Sequence, residues 1–129
     1  RWAEGVVTAD VERFLEADAD VVVEAIGGLL PAATLAEETL ARGRRFVTAN
    51  KALVAARGAA LAAIAARHGG ALDFEAAAGG AIPVVRALRD GAAGVGVTRI
   101  TGVLNGTTNF VLGRLARGDA FADAVREAQ

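Results

Sequence analysis

Apolar positions along the chain fall into short runs separated by glycine, and their spacing alternates between two kinds. In "DADVVVEAIGG" (residues 18–28) Val21, Val22 and Val23 stand in a row, with acids before them and Gly27-Gly28 after. A short continuous apolar run of this kind predicts a strand buried on both faces, as in a parallel sheet. Beyond it, Pro31 suits a first helical turn, Leu35, Ala36 and Leu40 share one helical face, and Gly43 can take the left-handed stop. "RRFVT" (residues 44–48) predicts a second strand. A second helix is predicted from Ala52 to about Arg67, with Leu53, Leu61 and Ile64 on its buried stripe and Gly69-Gly70 at its end. "ALDFE" (residues 71–75) predicts a third strand. Strand, helix, strand, helix, strand at this spacing is the pattern of crossovers in an α/β, doubly wound parallel sheet.

The texture changes after "AAAGGAIP" (residues 76–83). Pro83 can start a helix through Leu88, "GAAGVG" (residues 91–96) reads as a loop, and "VTRITGV" (residues 97–103) as a strand. "NGTTNFVLGRLARG" (residues 105–118) predicts a turn and a helix, with Thr107 or Thr108 as cap and Phe110, Val111 and Leu115 facing inward. "DAVREAQ" falls inside one more helix. These shifts place a domain change at residues 79–81, dividing the chain into 1–79 and 80–129. The amino end, "RWAEGVVTAD", has neither initiator Met nor signal-like apolar block, so the sequence reads as an internal stretch of a longer chain.

Composition narrows the classes of partner. The 129 residues carry 14 Lys and Arg against 15 Asp and Glu, a formal net charge of -1, so there is no basic surplus for nucleic acid or an anionic membrane. Charged residues interrupt every apolar run well short of the ~20 residues needed to span a bilayer. Cysteine is absent, which excludes disulfide and thiolate chemistry and is compatible with a reducing cytoplasm, the expected location.

In an open parallel sheet, ligands bind beyond the carboxyl ends of the strands. Three junctions of this kind occur here: Gly27-Gly28, Thr48 to Lys51, and Glu75 to Gly80. The glycine pair lets backbone approach a flat ligand, or serves turn geometry alone. In "VTANKAL" (residues 47–53) Asn50 can cap the second helix while Lys51 reaches solvent. Yet a cation in the first turn lies at the wrong end of the helix dipole, at a cost of up to ~1 kcal/mol. The same position suits a lysine that meets a carboxylate, a phosphate or a reacting oxygen. Both readings stand on position alone. Glu75 can act as general base, cation ligand or surface charge, and the residues after it supply mostly main-chain oxygen, which suits a hard cation and not zinc. His68 reads as a helix-terminal partner of free carbonyls. Trp2, Arg42, Arg44 and Arg45 read as packing or surface residues. No GxGxxG follows a strand.

Taken in order, "DVVVEAIGG", "FVTANKAL", "FEAAAGGAIPVVRALRDG" and "ITGVLNGTTNFVL" resemble the homoserine dehydrogenases from about Asp20 onward. The resemblance implies a partial Rossmann-like NAD(P)-binding domain followed by the start of an α+β catalytic and dimerisation domain. It implies interconversion of L-homoserine and L-aspartate 4-semialdehyde with NADP or NAD, in threonine, methionine and isoleucine biosynthesis, by an enzyme that is a homo-oligomer when full length. It implies that Gly27 and Gly28 lie by the cofactor, and that Thr48, Asn50 and Lys51 stand at its nicotinamide end with Lys51 catalytic. It further implies that Asn105, Gly106 and Thr107 border the cofactor between the domains, and that Glu75, Ala78, Gly80 and Ile82 hold a monovalent cation such as sodium. The family's glycine-rich phosphate loop and its acidic substrate ligands have no counterpart here, so this stretch by itself is expected to be inactive. Two rivals keep the same fold: another amino-acid or semialdehyde dehydrogenase, and a non-catalytic interaction module.

Overall fold

The computed structural model describes residues 7–80, 82–92, 94–102 and 105–128. The chain divides into two compact units, one ending at Arg86 and one beginning at Ala87.

The first unit is built on three parallel strands, β1 (Val21–Glu24), β2 (Arg45–Thr48) and β3 (Ala71–Asp73), in the order β1-β2-β3. They are linked by α2 (Ala32–Ala41) and α3 (Lys51–His68) and preceded by α1 (Val11–Glu16). In the register Val22 faces Phe46 and Phe46 faces Leu72, so these three form one row on one side of the sheet. That row joins a single apolar cluster with Leu35, Ala36 and Leu40 of α2, Leu53, Leu61 and Ala65 of α3, and Leu15 of α1. Fully burying each of the larger side chains is worth about 1.5–3 kcal/mol. The helix stripes read from the sequence are those that pack here, with Ile64 at the edge of the cluster.

Helix ends follow local chemistry. Asn50 caps α3 by accepting from the Leu53 amide, and Gly69, at φ +71°, closes it in the left-handed conformation. Gly43 is likewise left-handed after α2. α1 was not expected from the hydrophobic pattern; its six residues start where the Asp10 carboxylate accepts from the Glu12 and Arg13 amides.

Three expectations about the strands need correction. β1 is not buried on both faces: Val21 and Val23 are 46% and 68% exposed, because both linking helices pack on the face of Val22. On the open face Arg45 pairs with Asp73 at 2.6 Å. The third strand stops at Asp73, since Phe74 leaves extended conformation and Glu75–Ala77 forms a 3-10 turn. Residues 97–102 are not a strand, although Val97 and Ile100 suit one. A strand is stable only when its amides and carbonyls are paired in a ladder, and no described strand of this chain pairs with that segment. Val103, the last residue of the expected strand, lies outside the described residues.

α4 (Val84–Gly91) spans the boundary between the units. In the second unit α5 (Gly106–Ala116) packs against α6 (Phe121–Ala128), and Arg114 pairs with Asp119 and with Glu127. The cap of α5 is Asn105, whose side chain accepts from the Thr108 amide at 2.8 Å; neither Thr107 nor Thr108 holds that place. Asparagine in extended backbone reaches the third helical amide directly, which leaves the two threonines inside the first turn. Of the three side chains expected to face inward, Val111 and Leu115 are half-buried, whereas Phe110 is 39% exposed. No helix among the described residues is long and apolar enough to cross a membrane.

Candidate functional site

The carboxyl ends of β1 and β2 meet in a polar layer directly above the Val22–Phe46–Leu72 row. Two residues further along the same face, Glu24 of β1 is the register partner of Thr48 of β2. Glu24 is 1% exposed, and so is Thr48. A carboxylate at that depth needs full hydrogen-bond compensation. It has it: one oxygen accepts from the Ile26 amide at 2.7 Å and the Gly27 amide at 2.9 Å, and the other from the Thr48 hydroxyl at 2.5 Å. Burial by itself raises the Glu24 pKa. The bonds from Thr48, Gly27 and Ile26, with the Asn50 side chain contributing, together outweigh it, and the net result is a carboxyl held below its usual range.

The chain of bonds continues through Thr48 to Asn50. The hydroxyl that donates to Glu24 accepts from the Asn50 amide at 3.0 Å. The Asn50 side chain donates from Nδ2 to the Gly28 carbonyl at 2.5 Å while Oδ1 caps α3. Its orientation is therefore determined, because exchanging the two ends would set oxygen against oxygen and N–H against N–H. Gly27 and Gly28, at φ +82° and +72°, turn the loop that this network holds. A Cβ on either would meet no atom within 4 Å, so glycine is required there by backbone conformation and the face above the loop is open.

Lys51 is the first residue of α3 and is exposed. Its side chain makes no hydrogen bond or ion pair among the described residues. Gly27, Gly28, Thr48, Asn50 and Lys51 are thus brought to one sheet edge, with Gly28 joined to the lysine's helix by Asn50. Thr48 and Asn50 turn their side chains into the protein.

Glu75, just past β3, directs both carboxylate oxygens to α4, accepting from the Val85 amide at 2.9 Å and the Arg86 amide at 2.8 Å. Its main-chain oxygen accepts from Ala78 and that of Ile82 from Val84. Ala78 and Gly80 lie in the loop between them. Among the described residues no three His, Cys, Asp or Glu side chains converge as metal ligands. Asn105, Gly106 and Thr107 open α5 in the second unit.

Glu24 was missed in the sequence as a site residue. The signal was the period of two: once Val22 is inward, residue 24 is inward too, and a buried carboxylate at a strand's end must gather donors.

Comparison with known proteins fits this geometry. A family model described as homoserine dehydrogenase, NAD binding domain, matches residues 2–75, and one described as homoserine dehydrogenase matches residues 83–129. The homoserine dehydrogenase of Neisseria gonorrhoeae is 42% identical over 113 residues, covering 87% of this chain and 26% of that protein. That of Corynebacterium glutamicum is 44% identical over 124 residues, covering 95% and 28%. The chain thus spans little more than a quarter of these relatives. Among solved structures, a homoserine dehydrogenase from Thiobacillus denitrificans superposes with a TM-score of 0.74 at 46% identity, covering 85% of this chain and 26% of that one. A hyperthermophilic archaeal homoserine dehydrogenase in complex with NADPH gives 0.82 at 26% identity, covering 92% and 37%. With a family model over more than half of its length, and a parallel sheet whose carboxyl edge carries the loop and the lysine just described, the chain belongs to the homoserine dehydrogenase family.

Proposed function

We propose that this chain contributes the nicotinamide end of the active site to an enzyme that interconverts L-homoserine and L-aspartate 4-semialdehyde with NADP or NAD. The observation that carries the reading is Lys51: an exposed cation without a partner among the described residues, standing at the carboxyl edge of a parallel sheet where a stability role is disfavoured. The fit to a dinucleotide rests on the Gly27-Gly28 loop, whose open face admits a planar ligand against the main chain. The dinucleotide, when bound, supplies the hydride acceptor or donor.

The task left to the protein is to hold a small amino-acid alcohol and to manage the proton of its hydroxyl. Lys51 binds and polarises the reacting oxygen, and its ammonium favours the charge that develops there. Thr48 and Asn50 shape the site from within, and Asn105, Gly106 and Thr107 border the cofactor. Glu75, Ala78, Gly80 and Ile82 hold the monovalent cation through main-chain oxygens, a donor set that suits a hard ion, since the Glu75 carboxylate is engaged with α4.

The test is Lys51→Ala beside Lys51→Arg in the full-length enzyme. Alanine is expected to lower kcat/KM for homoserine by well over ~10-fold, within the range of general acid-base and electrostatic effects. Arginine keeps the charge and should recover only part. Unchanged kinetics in Lys51→Ala would refute the role.

A further inference from the structure

From the polar layer we infer that Glu24 is a positioning residue for dinucleotide binding: its carboxylate holds the Gly27-Gly28 loop and the amino end of α3 in one fixed relation. The inference rests on the proposed dehydrogenase function, which it deepens by naming what sets the geometry of the cofactor-facing edge.

Three separate chain segments converge on this one side chain. The loop is held through the Ile26 and Gly27 amides, β2 through the Thr48 hydroxyl, and α3 through the bond from the Asn50 amide to that hydroxyl. The circuit closes where Asn50 donates to the Gly28 carbonyl. A neutral side chain of the same shape cannot reproduce it. Glutamine in place of Glu24 can still accept from both loop amides, but its Nε2 then faces the Thr48 hydroxyl as a donor. That hydroxyl would accept from both glutamine and Asn50, and its own proton would have no acceptor in a buried site. The charge-assisted bonds to the loop, roughly twice as strong as neutral ones, are lost as well. The loop contains two successive left-handed glycines, the least restricted residues in the chain, so it depends on these outside bonds for a single conformation. A loop that samples several conformations binds its ligand with an affinity reduced by the fraction in the competent one. Glu24 itself, 1% exposed beneath the loop, reaches no ligand.

The experiment is isothermal titration of the full-length enzyme with NADPH and with NADH, without homoserine, for the wild type, Glu24→Gln, Thr48→Val and the double variant, with a thermal melt of each. Glu24→Gln is expected to raise the dinucleotide Kd at least ~10-fold and Thr48→Val at least ~3-fold. Because both break one circuit, the double variant should bind no more weakly than about twofold below the worse single variant. A Kd within about twofold of wild type in Glu24→Gln overturns the inference, as does a double loss that equals the product of the single ones. Should Glu24→Gln fail to fold, the volume-conserving Thr48→Val decides alone, and a Kd within about twofold of wild type overturns the inference. Homoserine turnover by the wild type together with unchanged Kd in the variants defeats the inference and leaves the function standing. A wild type that binds neither dinucleotide defeats both.

Discussion

Replacing Thr48 by valine removes one hydroxyl from the buried layer and leaves its volume almost unchanged. Two groups lose their partner: the Glu24 oxygen that accepted at 2.5 Å, and the Asn50 amide that donated at 3.0 Å. A hydrogen bond to a charged group contributes about 1.5–3 kcal/mol, and an unsatisfied buried amide costs about 1–3 kcal/mol. The two losses share one site and partly relax together, so we expect a net effect of about 2–4 kcal/mol. At ~1.4 kcal/mol per factor of ten, that is roughly 30-fold to 1000-fold in the local opening equilibrium. Native-state hydrogen exchange of the full-length enzyme reads it directly, in peptides covering residues 24–30 and 45–54. Protection there should fall by that factor in Thr48→Val. Thr48→Ser keeps the hydroxyl and loses one methyl, worth about 1 kcal/mol, and should fall less than ~10-fold. If valine leaves protection within about threefold of wild type, or if serine does as much damage as valine, the carboxylate layer does not hold this edge of the sheet.

Two further outcomes follow from the same packing. Because the folded Glu24 carboxyl titrates below its usual range, its contribution is fully present above the unfolded value of about 4.3 and is lost as pH falls through the lower folded value. The gap in melting temperature between wild type and Glu24→Gln should therefore be constant from neutral pH to about pH 5 and narrow in stronger acid; a gap that stays constant to about pH 3 contradicts the assignment. At the other edge of the sheet, a Cβ on Gly70 would lie 2.8 Å from the Arg44 carbonyl oxygen and 3.1 Å from that of Leu40, both main chain. Gly70→Ala should cost about 1–3 kcal/mol and lower the melting temperature, while Gly58→Ala inside α3, facing only the Val54 side chain at 3.4 Å, should gain about 0.5–1 kcal/mol.

What could be read from the sequence divides along the range of the interactions that decide each feature. The stripe of Leu53, Leu61 and Ile64, the Asn50 cap and the left-handed Gly43 and Gly69 depend on neighbours within a turn or two, and each is where the pattern puts it. The strand expected at residues 97–103 depends on a distant partner, and residues 97–102 have none among the described residues. Asn105 and the two threonines after it all qualify as caps by type, and only the backbone decides among them. The candidate site mixes both kinds. Lys51 was visible because its cost is local, a cation in a first helical turn. Glu24 was not, because in a run of valines it looks like the polar residue that closes a strand. Only the pairing of β1 with β2 turns it into the register partner of Thr48, one layer above the apolar row. The lysine proposed to meet the reacting oxygen and the carboxylate proposed to hold its surroundings are thus joined through two hydrogen bonds, one between strands from Thr48 to Glu24 and one from Asn50 to the Gly28 loop. Sequence spacing alone carries neither, since each links residues more than twenty positions apart.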